Sequence, residues 1–379
     1  MTTDRKGSEA VARGNLHASV PLVLACVVGL GLNILAVEFD SSGKRGVDYT
    51  QFYVASHLVG TGHVYDWPVL RRLEAPYGIE MPTGRLPVVL YGHKLLGSLP
   101  LAEARTIWMA GSVVALVVFA FLWPGGRPWL TLLGLASSMF MGAVLLYGQD
   151  VPFLVMFLAA GLWLMERKRP WEAGVVFALC LCKFHLALGI PVLLVARKEW
   201  RALGGGALAG LALVGASFAI EGPQWPRQYW TMSQLPDMAQ AIERMPNIHG
   251  LVSWLPWATA AEIAALGGLG WLLWGVCRGN SDWGTAGAAA AACGVLAANH
   301  SYAGDCTLMI PLAVLTIARV GMPRWLRIWA LALISPLGVL LLITRMPYLG
   351  QMLIVGFVVA AVWAVRRDGR GDAAPTVAG

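Results

Sequence analysis

The side chains of this chain that could do chemistry fall in four short passages. Asp48 lies in GVDYTQFYVASHLVGTGHVYD (46–66), Gln149 and Asp150 in YGQD (147–150), Lys183 and His185 in CKFH (182–185), and His300 and Asp305 in NHSYAGD (299–305). A carboxylate can accept the proton of a hydroxyl as that oxygen attacks an electrophile. Cations in a low-dielectric site can hold an anion and stabilise charge developing on it. Each residue also has a plainer use. Asp48 fits the N-cap of a helix beginning near Tyr49, and Lys183 could snorkel to a membrane interface. Asp150, just before Pro152, fits a helix cap. Asp305 could cap the helix that follows it, and His300 could be a satisfied turn residue.

Composition says what must carry these passages. Of 379 residues, 57% are hydrophobic and 13% charged, about half the charged fraction of a soluble domain. Apolar runs of about 20 residues, each enough to cross a bilayer, recur along the chain. The expected fold class is an all-α polytopic membrane protein with about ten spans: 18–37, 101–123, 128–146, 150–165, 202–220, 257–276, 284–298, 303–319, 324–343 and 349–365. The first run follows Arg5, Lys6 and Arg13 but is too long for a signal peptide and lacks a small-residue cleavage site, so a retained helix is expected. The net charge of +7 reads as membrane topology, not as a nucleic-acid surface. Cys26, Cys180, Cys182, Cys277, Cys293 and Cys306 lie within or beside apolar runs, so neither a disulfide framework nor a zinc site is expected. Cys180 and Cys182, two apart, point in different directions on a helix. Neither an Asp-X-Asp motif nor a phosphate-cradling glycine loop occurs, and the run Gly204 to Gly206 reads as helix packing.

Two stretches decide the topology. Residues 86–98 are too short to span and contain His93 and Lys94, so they are expected to lie in the outer interface as a juxtamembrane helix. Residues 171–196 are long enough but carry Lys183 and His185 in the middle. Folding them into a broken-helix hairpin puts Arg167, Lys168 and Arg169 on the same, cytoplasmic, side as Arg197, Lys198 and Arg201, together with the other basic short loops. A single crossing would turn every later basic loop outward. Each hairpin arm then reaches only about 18 Å, leaving Lys183 and His185 below the outer surface, where protein or a water-filled cavity must cover the broken backbone. The reading gives cytoplasmic tails at 1–17 and 367–379 around one transmembrane domain, 18–366, with outer loops at 38–100 and 221–256. The four polar passages share the outer side. Arg85, Arg105, Arg227 and His249 are further outer-face cations, and Trp225, Trp230 and Trp254 could form a lipid or sugar wall. The remaining tryptophans suggest interfacial belts, as do Tyr49, Phe52 and Tyr53.

The passage DYTQFYVASHLVGTGHVYD resembles the first outer loop of glycosyltransferase family 87, the polyprenol-phosphate-mannose-dependent α-mannosyltransferases of the GT-C fold. The likeness continues, in order, through RLPVVLYGHKLLGSLPLAEARTIW, through YGQDVPFL and the segment containing CKFH, and through NHSYAGDCTLMIPLAVL. It departs where the family usually places Pro soon after the hairpin Lys and where its outer loop often has paired prolines. The resemblance implies a plasma-membrane hexosyltransferase whose active site faces outward. It would move a sugar, mannose in the family, from a polyprenyl-phosphate donor to a glycolipid or glycan with inversion, for cell-envelope glycolipid synthesis. Asp48 becomes the base, and Lys183, His185, His300, Gln149, Asp305, Tyr49 and Arg85 contact donor phosphate or sugar. No metal or cofactor beyond the donor is implied, and the partners are donor, acceptor and membrane lipids. The rival class is a transporter or flippase of lipid-linked sugars, which calls for mid-membrane charges and two repeated halves. The polar residues instead gather on one side.

Overall fold

A computed structural model describes Gly31 and residues 46–235, 241–343 and 346–371, with side chains to residue 368. The expected tail 1–17, nearly all of the first span, Cys26 and the last residues of the tail 367–379 lie outside that range. The described elements are helical, and no strand occurs among them. They run α1 (Val47–Leu58), α2 (Trp67–Glu74), α3 (Pro87–Gly97), α4 (Leu101–Leu122), α5 (Pro128–Ser137), α6 (Met139–Tyr147), α7 (Val151–Glu166), α8 (Pro170–Ala178) and α9 (Gly189–Ala196). They continue as α10 (Trp200–Glu221), α11 (Trp225–Ser233), α12 (Ile248–Val252), α13 (Ala258–Arg278), α14 (Trp283–Ala297), α15 (Ile310–Ala318), α16 (Arg324–Ile334), α17 (Leu337–Ile343) and α18 (Pro347–Gly371). Short 3₁₀ segments occupy Leu179–Leu186 and Ala303–Met309.

Among the described residues, α4, α10, α13 and α18 are the four helices long and apolar enough to cross a membrane. The pairs α5–α6 and α16–α17 bend by 71° and 62° and raise the number to six if each pair is one span. The ten spans expected from hydropathy are therefore supported only as a multi-pass membrane protein with four to six such spans. Hydropathy averages across breaks that the backbone does not tolerate. Ser138 is extended, at φ −78° and ψ 121°, and Pro336 has no amide proton to continue α16. The runs at 150–165, 284–298 and 303–319 appear as shorter helices, the last beginning as a 3₁₀ turn.

The main core surrounds α14, whose residues from Gly284 to Leu296 are all buried. Its Gly/Ala composition lets neighbours approach to backbone contact. A Cβ on Gly189 would collide with the Ala290 carbonyl, and one on Gly294 with the Leu186 carbonyl. This contact sets the turn between the 3₁₀ segment and α9 against α14, close to where α14 ends at the 299–305 loop. A second, smaller core joins α1 to α3 with Trp108 and Trp225. Tyr49, Phe52 and Tyr53 are buried there and do not form the expected interfacial anchor, because α3 and α4 enclose that face of α1. Tyr49 stacks on Trp108 at 5.4 Å between ring centroids.

The chain folds back at Lys183. α8 and α10 run side by side in the same direction, with Gly174 against Ala202 and Gly206 and the Trp171 carbonyl against Gly205. The start of α10 therefore lies beside the start of α8, so α9, which ends at Ala196, has brought the chain back to where α8 began. The turns at the two ends of this hairpin match. Lys168 and Lys198 both adopt left-handed backbone, at φ 59° and 58°. The Arg169 amide donates to the Leu164 carbonyl, as the Glu199 amide does to Leu194, which is the Schellman way to end a helix. Cysteines placed at positions 168 and 198 are expected to react with a membrane-impermeant maleimide from the same side of sealed vesicles; labelling from opposite sides would contradict the fold-back.

Candidate active site

The YGQD turn lies between two other segments. Gly148 ends α6 at φ +75°, the left-handed backbone that glycine adopts without penalty. A Cβ there would sit 2.8 Å from the Tyr49 Cβ, and one on Gly304 would sit 2.8 Å from Gln149 Oε1. The Gly46 amide donates to the Leu146 carbonyl (2.7 Å) and Trp108 Nε1 to the Gly148 carbonyl (3.0 Å). Together these contacts hold the first turn of α1 over the turn that carries Gln149 and Asp150.

Buried ion pairs fix what lies beneath. Asp150 stands at the N-cap of α7 but makes no side-chain cap bond. Its carboxylate accepts instead from Arg85 Nε at 2.6 Å and Nη2 at 3.0 Å. A buried guanidinium needs a counter-charge far more than a helix end needs a side-chain acceptor. Lys183 Nζ donates to Asp305 Oδ1 at 2.6 Å and lies 3.8 Å from Asp150 Oδ1. At 3% exposure Lys183 points inward and does not snorkel. Asp305 is not the N-cap of the helix that follows: it is the third residue of the 3₁₀ segment, whose N-cap is Tyr302, and its Oδ2 reaches back to accept from the Tyr302 amide at 2.8 Å. Both of its oxygens are thus engaged within the protein.

Asp48 is not an N-cap, because α1 starts one residue earlier with Gly46 at the cap. It sits half-buried in the first turn, where a carboxylate suits the helix dipole, with the Gln149 side chain beside it. Burial raises its pKa above the ordinary 3.8, opposed by the neighbouring Gln149 side chain and then by the positive charges of Lys183 and Arg85. A carboxyl raised in this way is a better proton acceptor than a solvated one. Gln149 Oε1 is buried against Gly304 without a hydrogen-bond partner. His185 and His300 lie ring to ring, tilted by 32° with centroids 4.1 Å apart, and His300 Nδ1 lies 3.0 Å from Asn299 Oδ1.

Asp48, Gln149, Arg85, Lys183, His185, His300 and Asp305 therefore form one cluster with Asp150. Tyr49 lies behind it, fully buried with an unpartnered hydroxyl. The weaker candidates separate. His249 pairs with Glu262 of α13 at 3.0 Å, Trp225 is buried in the second core, and Arg227, Trp230 and Trp254 are exposed. Asp150 as the partner of Arg85 escaped the sequence reading, since Pro152 pointed to capping and nothing local marks a partner 65 residues away. Among the described residues no group of three or more His, Cys, Asp or Glu is placed to hold a metal ion.

The fold and this cluster define a multi-pass helical membrane protein with a buried, charged site built around a half-buried carboxylate. The family model of glycosyltransferase family 87 matches residues 87–318, and the chain belongs to that family. It is a membrane glycosyltransferase. No curated protein and no solved structure matches it. The matched region contains Gln149, Asp150, Lys183, His185, His300 and Asp305, whereas Asp48, Tyr49 and Arg85 precede it.

The electrostatics give a signed pH test. A base acts only when deprotonated, so with Asp48 as the base expected from the sequence, transfer falls as pH drops through its pKa. Arg85→Gln removes a cation and leaves Asp150 less neutralised, and both changes disfavour a carboxylate at Asp48. The acid limb of kcat/KM against pH is expected to move to higher pH in Arg85→Gln. A limb that stays, or moves down, would mean that another group titrates.

Proposed function

We propose that this glycosyltransferase moves a sugar, mannose, from a polyprenyl-phosphate donor to a hydroxyl of a glycolipid or glycan. The reaction takes place on the outer face of the plasma membrane, within a GT-C-type fold. The observation that carries the reading is Asp48, a half-buried carboxylate beside Gln149 that faces the field of two cations, Arg85 and Lys183, held in ion pairs. Family membership favours this class over a lipid-linked-sugar transporter.

The steps follow from what each group can do. The acceptor oxygen bonds to the anomeric carbon as the bond from that carbon to the phosphate oxygen breaks, with inversion. Asp48 takes the hydroxyl proton, and the polyprenyl phosphate leaves with the bonding electron pair. Lys183 and Arg85 are already oriented by Asp305 and Asp150, so their field favours the developing anion without rearrangement. His185 and His300 meet the phosphate, and the Gln149 side chain contacts a sugar hydroxyl. Asp150 and Asp305 are positioning residues, and Tyr49 supports the turn that carries Asp48. The reaction needs no metal and no cofactor besides the donor.

Asp48→Asn keeps the size and an acceptor oxygen but cannot take a proton. Transfer is expected to fall by about 10²-fold or more, with donor binding retained because the phosphate contacts lie elsewhere. Turnover within a few-fold of wild type would assign the base to another residue.

A further inference from the structure

The hairpin leaves a wedge of unfilled space. α8 and α10 meet at backbone contact where Gly174 faces Ala202 and Gly205 faces Trp171. Toward the hairpin tip they part, and a Cβ on Gly210 would meet only Leu181 Cδ1, at 3.7 Å. The gap, closed on its third side by α9, is a cavity of about 230 Å³ lined by residues including Phe177, Leu181, Phe184, Leu188, Leu194 and Gly210. That volume is about what eight waters occupy in the liquid, yet the lining side chains are apolar, and a buried water needs two or more polar partners. The space suits an apolar chain.

Its position says which chain. At Lys183 the backbone leaves helical geometry, with φ −139° and ψ 61°, and the two neighbouring side chains part company. The Lys183 ammonium goes to Asp305, and the Phe184 ring lines the cavity. Phe184 also meets His185 edge-on at 5.7 Å, and the His185 ring lies against that of His300 with centroids 4.1 Å apart. Phe184 and Leu188 are nearly half exposed, at 44% and 46%, so the cavity has a mouth beside the imidazoles. A molecule bridging these two environments has a polar, anionic head and an apolar tail joined directly to it. We infer that the wedge between α8, α9 and α10 holds the phosphate-proximal isoprenoid units of the donor, with Phe184 separating tail from head. The assignment rests on the polyprenyl-phosphate donor proposed above. It makes the hairpin the element that selects donors by their chain.

The test compares two donors carrying the same sugar phosphate, one esterified to a long polyprenyl chain and one to a butyl group. Gly210→Phe fills the cavity from α10, and Leu188→Trp narrows it from the half-exposed rim. Gly210→Ala, whose added carbon makes only van der Waals contact, is the control, and thermal melting verifies folding. In Gly210→Phe and Leu188→Trp the preference for the long-chain donor, as a ratio of kcat/KM values, is expected to fall at least about tenfold, equivalent to losing about two buried methylene groups. The butyl donor and Gly210→Ala should show little change. Equal losses on both donors, as a structural phospholipid in the wedge would give, overturn the assignment, and so does an unchanged preference in folded variants. If the wild type uses neither phosphate-linked donor, the donor class itself fails, and this inference with it.

Discussion

Two buried cations that cannot be left without a counter-charge constrain the rest of this structure. Arg85 and Lys183 lie among apolar helices, and each is neutralised by an aspartate from a distant segment, 65 and 122 residues away. Stripping one partner from such a pair leaves a bare charge in a low-dielectric interior, at a cost of about 3–5 kcal/mol. A well-packed apolar replacement of the whole pair can be neutral or better, so the pairs are weak evidence for stability as such. Their effect is geometric. The loop carrying Arg85, the start of α7, the hairpin tip and the 3₁₀ segment at Ala303 must come together in one arrangement for both charges to be met. Asp48 is then placed in the field of cations that are already oriented.

The apolar scaffold makes this arrangement possible by keeping side chains small where segments must meet. α14 is built from alanine and glycine along its buried length, so the hairpin comes close enough for the Leu186 carbonyl to rest on Gly294. Packing inside a membrane gains little from the hydrophobic effect and depends on close van der Waals contact. The same logic explains the contrast along α8 and α10, where glycines join the helices at one end and leave a wedge at the other. Contact and cavity thus come from one device, the size of the side chains at the helix interface.

Much of this was legible in the chain itself, at the level where signals are local. Hydropathy marked the class, and the matched basic clusters around 167–169 and 197–201 implied that the chain turns back at Lys183. The four polar passages were readable as one site because so few polar residues interrupt the apolar runs. Pairing was not readable. Asp150 followed by Pro152 has the local form of a cap, and only the three-dimensional fold brings Arg85 to it. Tyr49, Phe52 and Tyr53 have the composition of an interfacial belt, and their burial depends on α3 and α4, which no local pattern announces. The ten-span count is not confirmed, because the runs at 150–165, 284–298 and 303–319 form helices of fewer than 18 residues, the first span lies outside the described residues, and an averaging window passes over the bends at Ser138 and Pro336.

The reaction we propose is a single chemical event, inverting transfer from a phosphate-linked lipid donor to a hydroxyl acceptor. It is tested most directly with the purified full chain in proteoliposomes, given a polyprenyl-phosphate sugar of known anomeric configuration and a glycolipid acceptor, with the product analysed by NMR. The account predicts a glycosylated lipid bearing the opposite anomeric configuration, formed without a nucleotide sugar. Retained configuration, or transfer that runs only from a nucleotide sugar, would contradict it.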